Sequence, residues 1–157
     1  MGSFGKRRSG PWYAEDRARI LLEGRSRDYF PGLRSDIARI EGKRGLCYYV
    51  TVELRHYDSR CVRILFAADR SPDSPLILID GPTTSPHRYP DFGRKRLCIW
   101  HPDDPRESRW TQEDGLVSLL ALIKLHLFRE AWWRDTGCGE WLGPQAGHAD
   151  AKGIGSE

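Results

Sequence analysis

The chain reads as an α+β fold, and three observations predict it. Residues 46–54 alternate apolar and polar without a break, with a second alternating run after them, as a β-hairpin does. A later run, from Leu116 to Phe128, is apolar on most sides and long enough to be a buried helix. Between strands and helix lie residues 81–110, too long and too rich in Pro, Gly, Asp and Arg for an ordinary connection.

In chain order, residues 1–8 read as a disordered basic tail and residues 9–144 as a single domain. Ser9-Gly10-Pro11 is a helix-start signal. Ala14, Ala18, Leu21 and Leu22 recur at helical spacing after it, so a helix is expected over 11–23, with Gly24 as its stop. A weak strand is expected over 34–41. In the strand over 46–54, Leu46, Tyr48, Val50, Val52 and Leu54 share one face. A turn at His56-Tyr57-Asp58-Ser59 leads to a strand over 60–67 with Val62, Ile64 and Phe66 inward, which sets Leu54 near Cys61. A short strand over 75–80 completes a four-stranded antiparallel meander. After the long loop, Thr111 and Asp114 form an approximate capping box for the core helix, expected to Trp133. A short aromatic-bearing extension, 138–144, follows. Residues 145–157 are small and polar and are expected to be disordered.

Composition narrows the function classes. The chain has 157 residues, 25 basic and 22 acidic. Lys6, Arg7 and Arg8 account for the whole excess, so the body is about neutral, which argues against binding nucleic acid by phosphate neutralisation. No apolar run approaches membrane-spanning length. The basic N-terminus leads into no apolar stretch, so a cytoplasmic chain without disulfides is expected. The cysteines, Cys47, Cys61, Cys98 and Cys138, form no C-x-x-C pair, so neither a metal site nor a cofactor is predicted.

The chemistry concentrates around Cys98. Cys47 and Cys61 sit in strands and read as structural. Cys98 sits in a polar, Gly/Pro-rich loop just after Arg94, Lys95 and Arg96, which would favour a thiolate. A nucleophilic cysteine also needs partial exposure. His87 lies eleven residues earlier in the same loop and is a candidate base or orienter; a histidine bonded to the loop backbone is the plainer reading. Tyr89 offers a hydroxyl donor, though most loop tyrosines simply pack. Asp103 and Asp104 read as a solvated turn, Trp110 as a packing anchor.

These elements and motifs resemble the ubiquitin-conjugating enzyme family. That family has an N-terminal helix, a four-stranded antiparallel meander, a long active-site loop and a following core helix. His87-Arg88-Tyr89, Gly93, Leu97-Cys98-Ile99 and Trp110-Thr111 stand where the family has His-Pro-Asn, a glycine turn, an apolar-flanked catalytic cysteine and a tryptophan. Arg88 and Tyr89 replace the Pro and Asn, and the family's last two helices are missing or reduced. The run Leu97-Cys98-Ile99-Trp100-His101-Pro102-Asp103-Asp104-Pro105, with Ala131-Trp132-Trp133 and Gly139-Glu140-Trp141-Leu142-Gly143-Pro144, looks like the stand-alone bacterial branch of CBASS anti-phage operons. The resemblance implies an acyltransferase that carries the C-terminal tail of a cGAS/DncV-like nucleotidyltransferase as a thioester on Cys98, with His87 and Tyr89 in support. It implies transfer of that tail to an amine, and regulation of cyclic-nucleotide synthesis thereby. A non-catalytic binding module of the same fold and a cysteine hydrolase using His87 stay open as alternatives.

Overall fold

A computed structural model describes residues 10–143. The two tails expected to be disordered therefore lie outside the described residues. Pro11 leads into a 3-10 turn, Trp12–Ala14, and two short helices follow: α1 (Asp16–Glu23) and α2 (Ser26–Tyr29). Strands β1 (Arg34–Ile40), β2 (Lys43–Leu54), β3 (Tyr57–Ala67) and β4 (Leu76–Ile79) form one antiparallel sheet in the order β1-β2-β3-β4. The long helix α3 (Gly115–Asp135) follows the loop and packs across β2 and against α1 and α2.

The first helix differs from the expected single helix over 11–23. Glu15 has an extended backbone (φ −87°, ψ 119°) and separates the 3-10 turn from α1. Leu22 is buried, but Ile20 and Leu21 are 66% and 69% exposed. Neighbouring residues on a helix point about 100° apart, so Leu21 and Leu22 cannot both face the core of so short an element. Gly24 ends α1 as expected, at φ 50°, with its N–H donating to the Ile20 carbonyl at 2.9 Å.

The β2–β3 hairpin is tighter than the sequence suggests. Its turn is only Arg55-His56, and Tyr57 already pairs with Leu54. His56 takes a positive φ of 69° to close it. The tight turn, with a register shift between Val52 and Leu54, places Cys61 opposite Thr51 and not near Leu54. Cys47 lies opposite Leu65, and both cysteines are free. The inward faces are as the alternation requires: Leu46, Tyr48, Val50, Val52 and Leu54 are buried, as are Val62, Ile64 and Phe66. Gly45 has a steric reason to be glycine. A Cβ there would stand 2.1 Å from the Phe66 carbonyl oxygen, on the neighbouring strand.

The main core lies between the sheet and α3. Leu116, Leu119, Leu120, Ile123 and Leu127 meet Tyr48, Ile64, Phe66 and Ile77 there. The apolar run does not bury α3 all round. Only one stripe is covered, while Leu125 and Trp132 are exposed. A second, smaller cluster of Ile40, Cys47, Leu65, Leu76 and Leu78 sits on the other face, packed by Phe92 from the long loop. The capping box is present: Thr111 and Asp114 exchange hydrogen bonds around a 3-10 turn, Gln112–Asp114, that leads into α3. Among the described residues α3 is the last helix, and none is long and apolar enough to cross a membrane.

Trp110 joins the end of the loop to this core. It is buried against Phe66 and Trp100, and its indole N–H donates to the Gly115 carbonyl at 2.8 Å. Trp110→Ala is expected to cost about 3–5 kcal/mol, the range for emptying a core aromatic site. Urea unfolding of the variant, with an unchanged m-value, checks it.

Candidate active site

The loop is built around a short ladder. Arg88 pairs with Leu97, and Leu78 of β4 with Arg96, both antiparallel. The Leu97 N–H donates to the Ile77 carbonyl at 2.9 Å and the Ile79 N–H to the Lys95 carbonyl at 3.0 Å. The loop thereby extends the sheet past β4, and residues 87–89 lie alongside it. Tyr89 donates its N–H to the Arg96 carbonyl, and Cys98 donates its own to the His87 carbonyl, each at 3.0 Å. Eleven residues of separation thus become direct juxtaposition: His87 lies across from Cys98.

Alternation sorts the side chains. Leu97 joins the main core. Arg96 and Cys98, one position either side, point the other way. The Arg96 guanidinium stacks 3.9 Å from the Tyr89 ring centroid and pairs with Asp91. The Tyr89 hydroxyl hydrogen-bonds Cys98, and burial followed by that contact pushes the phenol pKa well up. Tyr89 therefore remains a protonated donor throughout the physiological range.

Cys98 itself is closed off, at 1% exposure, with its Sγ 3.8 Å from the Trp100 carbonyl. The partial exposure expected of a nucleophile is not found. Tyr89, Arg96 and Trp100 border a shallow cleft of only about 30 Å3, room for a water molecule, which Cys98 does not line. His87 is equally buried. Its N–H donates to Ser85 Oγ at 3.1 Å, and its ring packs against Trp141 and His126, with centroids at 4.4 and 6.0 Å. The aromatic extension after α3 thus folds back onto the loop. Asp103 is solvated as expected, while Asp104 accepts the His101 N–H at 2.8 Å and closes the turn after the cysteine.

The residue that organises the loop is one the motif comparison treated as a departure. Arg88 and Glu130 of α3 are both fully buried and meet in two parallel hydrogen bonds of 2.6 Å. Arg88 also donates to the carbonyls of Arg94 (2.8 Å) and Pro82 (3.0 Å), which ties both limbs of the loop together. Arg134 reaches Glu130 at 3.2 Å and the Thr84 carbonyl at 3.0 Å, and His126 Nε2 lies 3.7 Å from the same carboxylate. Burial alone would raise the Glu130 pKa, but the hydrogen bonds from Arg88, helped by the nearby His126 ring, outweigh it and hold it at about 2. A signal for this network stands in the sequence: Glu130 is an acid in an apolar helix, one turn from His126 and from Arg134. Such a carboxylate needs a cation, but nothing local says that Arg88 supplies it.

The network also holds a strained turn. Phe92, Gly93 and Arg94 all have left-handed backbones, with φ of 54°, 61° and 62°. For the two residues with side chains that conformation costs roughly 1–2 kcal/mol each. Packing of the half-buried Phe92 against the smaller cluster and the Arg88 bond to the Arg94 carbonyl hold it. Among the described residues no cluster of three or more His, Cys, Asp or Glu side chains could hold a metal ion.

The class defined by fold and site is thus an α+β domain whose meander and core helix clamp a loop carrying a cysteine. Comparison with protein-family models, with curated proteins and with solved structures finds no match for the chain.

Breaking the ion pair on one side should cost more than removing it whole. Glu130→Gln or Arg88→Met alone is expected to lose about 3–5 kcal/mol, with the double variant Arg88→Met/Glu130→Leu recovering part of that. Because the Glu130 pKa is depressed, its stabilisation is present above the ordinary value of 4.5 and is lost as pH falls towards 2. Acid titration of stability should therefore be steeper for the wild type than for Glu130→Gln across that window. Thiol alkylation followed by mass spectrometry should modify the exposed Cys61 and Cys138 first. Cys98 and Cys47 should lag, and Glu130→Gln should accelerate Cys98 more than Cys47.

Proposed function

We propose that the chain is a ubiquitin-conjugating-enzyme-like acyltransferase that carries an acyl group on Cys98. The observation that supports it best is the cysteine's setting. A loop between a four-stranded meander and a core helix sets Cys98 across from His87 and under the Tyr89 hydroxyl. In the full reading, it belongs to a CBASS anti-phage system and is cytoplasmic. Its donor is then the C-terminal tail of a cGAS/DncV-like nucleotidyltransferase, and the modification regulates cyclic-nucleotide synthesis.

The chemistry balances without a metal or a strong base. The Cys98 thiolate attacks the carbonyl of an activated acyl donor, an acyl adenylate or another thioester, supplied by a separate protein. A carbon–sulfur bond forms and adenylate or thiolate leaves. An amine then attacks the Cys98 thioester, an amide bond forms, the thiolate departs and the amine proton passes to solvent. Tyr89, protonated and directed at the sulfur, donates to the oxyanion that develops beside it, in place of the family's asparagine. His87 positions the ladder through its carbonyl. Because the thiol is closed, loading includes a step in which the loop opens.

The burial of Cys98 favours a second reading, a non-catalytic module of the same fold that binds the tail without chemistry. One experiment separates the two. The chain is co-produced with the nucleotidyltransferase of its operon, and covalent adducts are resolved with and without dithiothreitol. The catalytic reading expects a thiol-sensitive adduct that is lost in Cys98→Ala and becomes a thiol-resistant ester in Cys98→Ser. Tyr89→Phe should retain loading but slow transfer to amine by about 100-fold, the usual cost of an oxyanion donor. An adduct that survives Cys98→Ala, or a stable complex with no adduct, sinks it. Cys47→Ser and Cys61→Ser should load normally when folded.

A further inference from the structure

The outer face of the sheet holds a groove that acyl transfer does not use. It has a volume of about 480 Å3 and crosses all four strands to reach the loop. Its rim carries Arg34 of β1, Tyr49 of β2, Cys61 and Arg63 of β3, Asp80 and, from the loop, Lys95. The register sets their spacing. Arg34 lies opposite Tyr49 and Tyr49 opposite Arg63, so the two arginines flank the phenol in one cross-strand row. Continuing across the sheet, Arg63 lies opposite Leu78, and Leu78 opposite Arg96, the neighbour of Lys95.

Positive charge is in excess in this groove, with Arg34, Arg63 and Lys95 against Asp80. Among the described residues, Arg34, Arg63 and Lys95 take part in no salt bridge. Asp80 Oδ1 accepts the Cys61 N–H at 2.8 Å, and its carboxylate offsets one of the three positive charges. We infer that the groove docks an extended acidic peptide segment of a partner protein. With strands about 4.8 Å apart, Arg34 and Arg63 stand roughly 10 Å apart along the row, and Lys95 lies on the loop beyond it, next to Arg96. One small anion cannot meet all three. In an extended peptide of the polyproline II type, with three residues per turn and a rise of about 3.1 Å per residue, carboxylates three residues apart lie on one face and match the Arg34–Arg63 spacing. A nucleic acid is the poorer fit, because only a local groove is positive while the body of the chain is about neutral. Lys95 lies three residues before Cys98, so a partner held here is held beside the loop.

This inference rests on cavity and charge, independently of acyl transfer, and Cys61 supplies a built-in reporter. It is exposed within the groove, while the other exposed cysteine, Cys138, lies beyond α3. The test measures iodoacetamide alkylation of both, on the full chain, with three probes: a short peptide with Glu at every third position, its Gln counterpart and a single-stranded oligothymidine. The Glu peptide should slow Cys61 about tenfold when it fills nine-tenths of the sites, leaving Cys138 unchanged. The Gln peptide and the oligonucleotide should not protect. Arg34→Gln/Arg63→Gln should weaken the Glu peptide about tenfold, equivalent to 1.4 kcal/mol, and Lys95→Gln should act in the same direction. Cys98→Ala should leave protection intact, which separates this result from the fate of the acyl-carrier reading. No protection, protection by the oligonucleotide alone, or protection that survives both sets of substitutions overturns the inference.

Discussion

The buried pair of Arg88 and Glu130 is the constraint on which the loop depends. A thirty-residue segment whose own regular structure is two 3-10 turns and a few isolated bridges has little to hold it, and its backbone polar groups all need partners. Arg88 meets that need from one side chain. Its guanidinium pairs with Glu130, bonds the Arg94 and Pro82 carbonyls, and so joins the two limbs of the loop to α3. Two charges taken out of water are costly, and the planar, two-point geometry is what offsets that cost. A lysine could not reproduce it, having a single ammonium and no fork.

That anchor explains the rest of the site. With Arg88 held, residues 87–89 run beside 96–98, and the ladder sets His87 across from Cys98 and Tyr89 over Arg96. The left-handed turn at Phe92–Arg94 lies between these limbs and is fastened at both ends, by an apolar contact and by Arg88. Trp141 closes the arrangement from the segment after α3 by packing on His87. The outcome is a thiol held shut. A closed thiol resists oxidation and adventitious alkylation, and its reactivity becomes a matter of loop opening and not of intrinsic acidity.

The two faces of the sheet are used differently. The inner face and α3 form the principal core, and Trp110 ties the loop's exit into it. The outer face is covered at one end by Phe92 and open at the other, where Arg34, Arg63 and Lys95 line the groove and take part in no salt bridge among the described residues. Both faces are thus connected to the loop, one through Arg88 and Trp110, the other through Phe92 and Lys95.

The sequence by itself determined the α+β layout. Strand alternation in Leu46–Val52, the inward set Val62, Ile64 and Phe66, the Thr111–Asp114 cap and the long apolar run of α3 are local patterns, and each appears in the fold, although α3 buries one stripe and not all its sides. What the pattern misjudged was also local in cause. Two tight features, the extended Glu15 and the two-residue turn at Arg55-His56, shifted a helix start and a strand register. For the site, sequence singled out Cys98, His87 and Tyr89 by loop composition and motif, and tertiary structure decided their relations. The closure of the Cys98 thiol, the Arg88–Glu130 pair forty-two residues apart and the packing of Trp141 on His87 are contacts between distant segments. No periodicity encodes such contacts. They exist only once the sheet and α3 have brought the loop's two limbs to the same place.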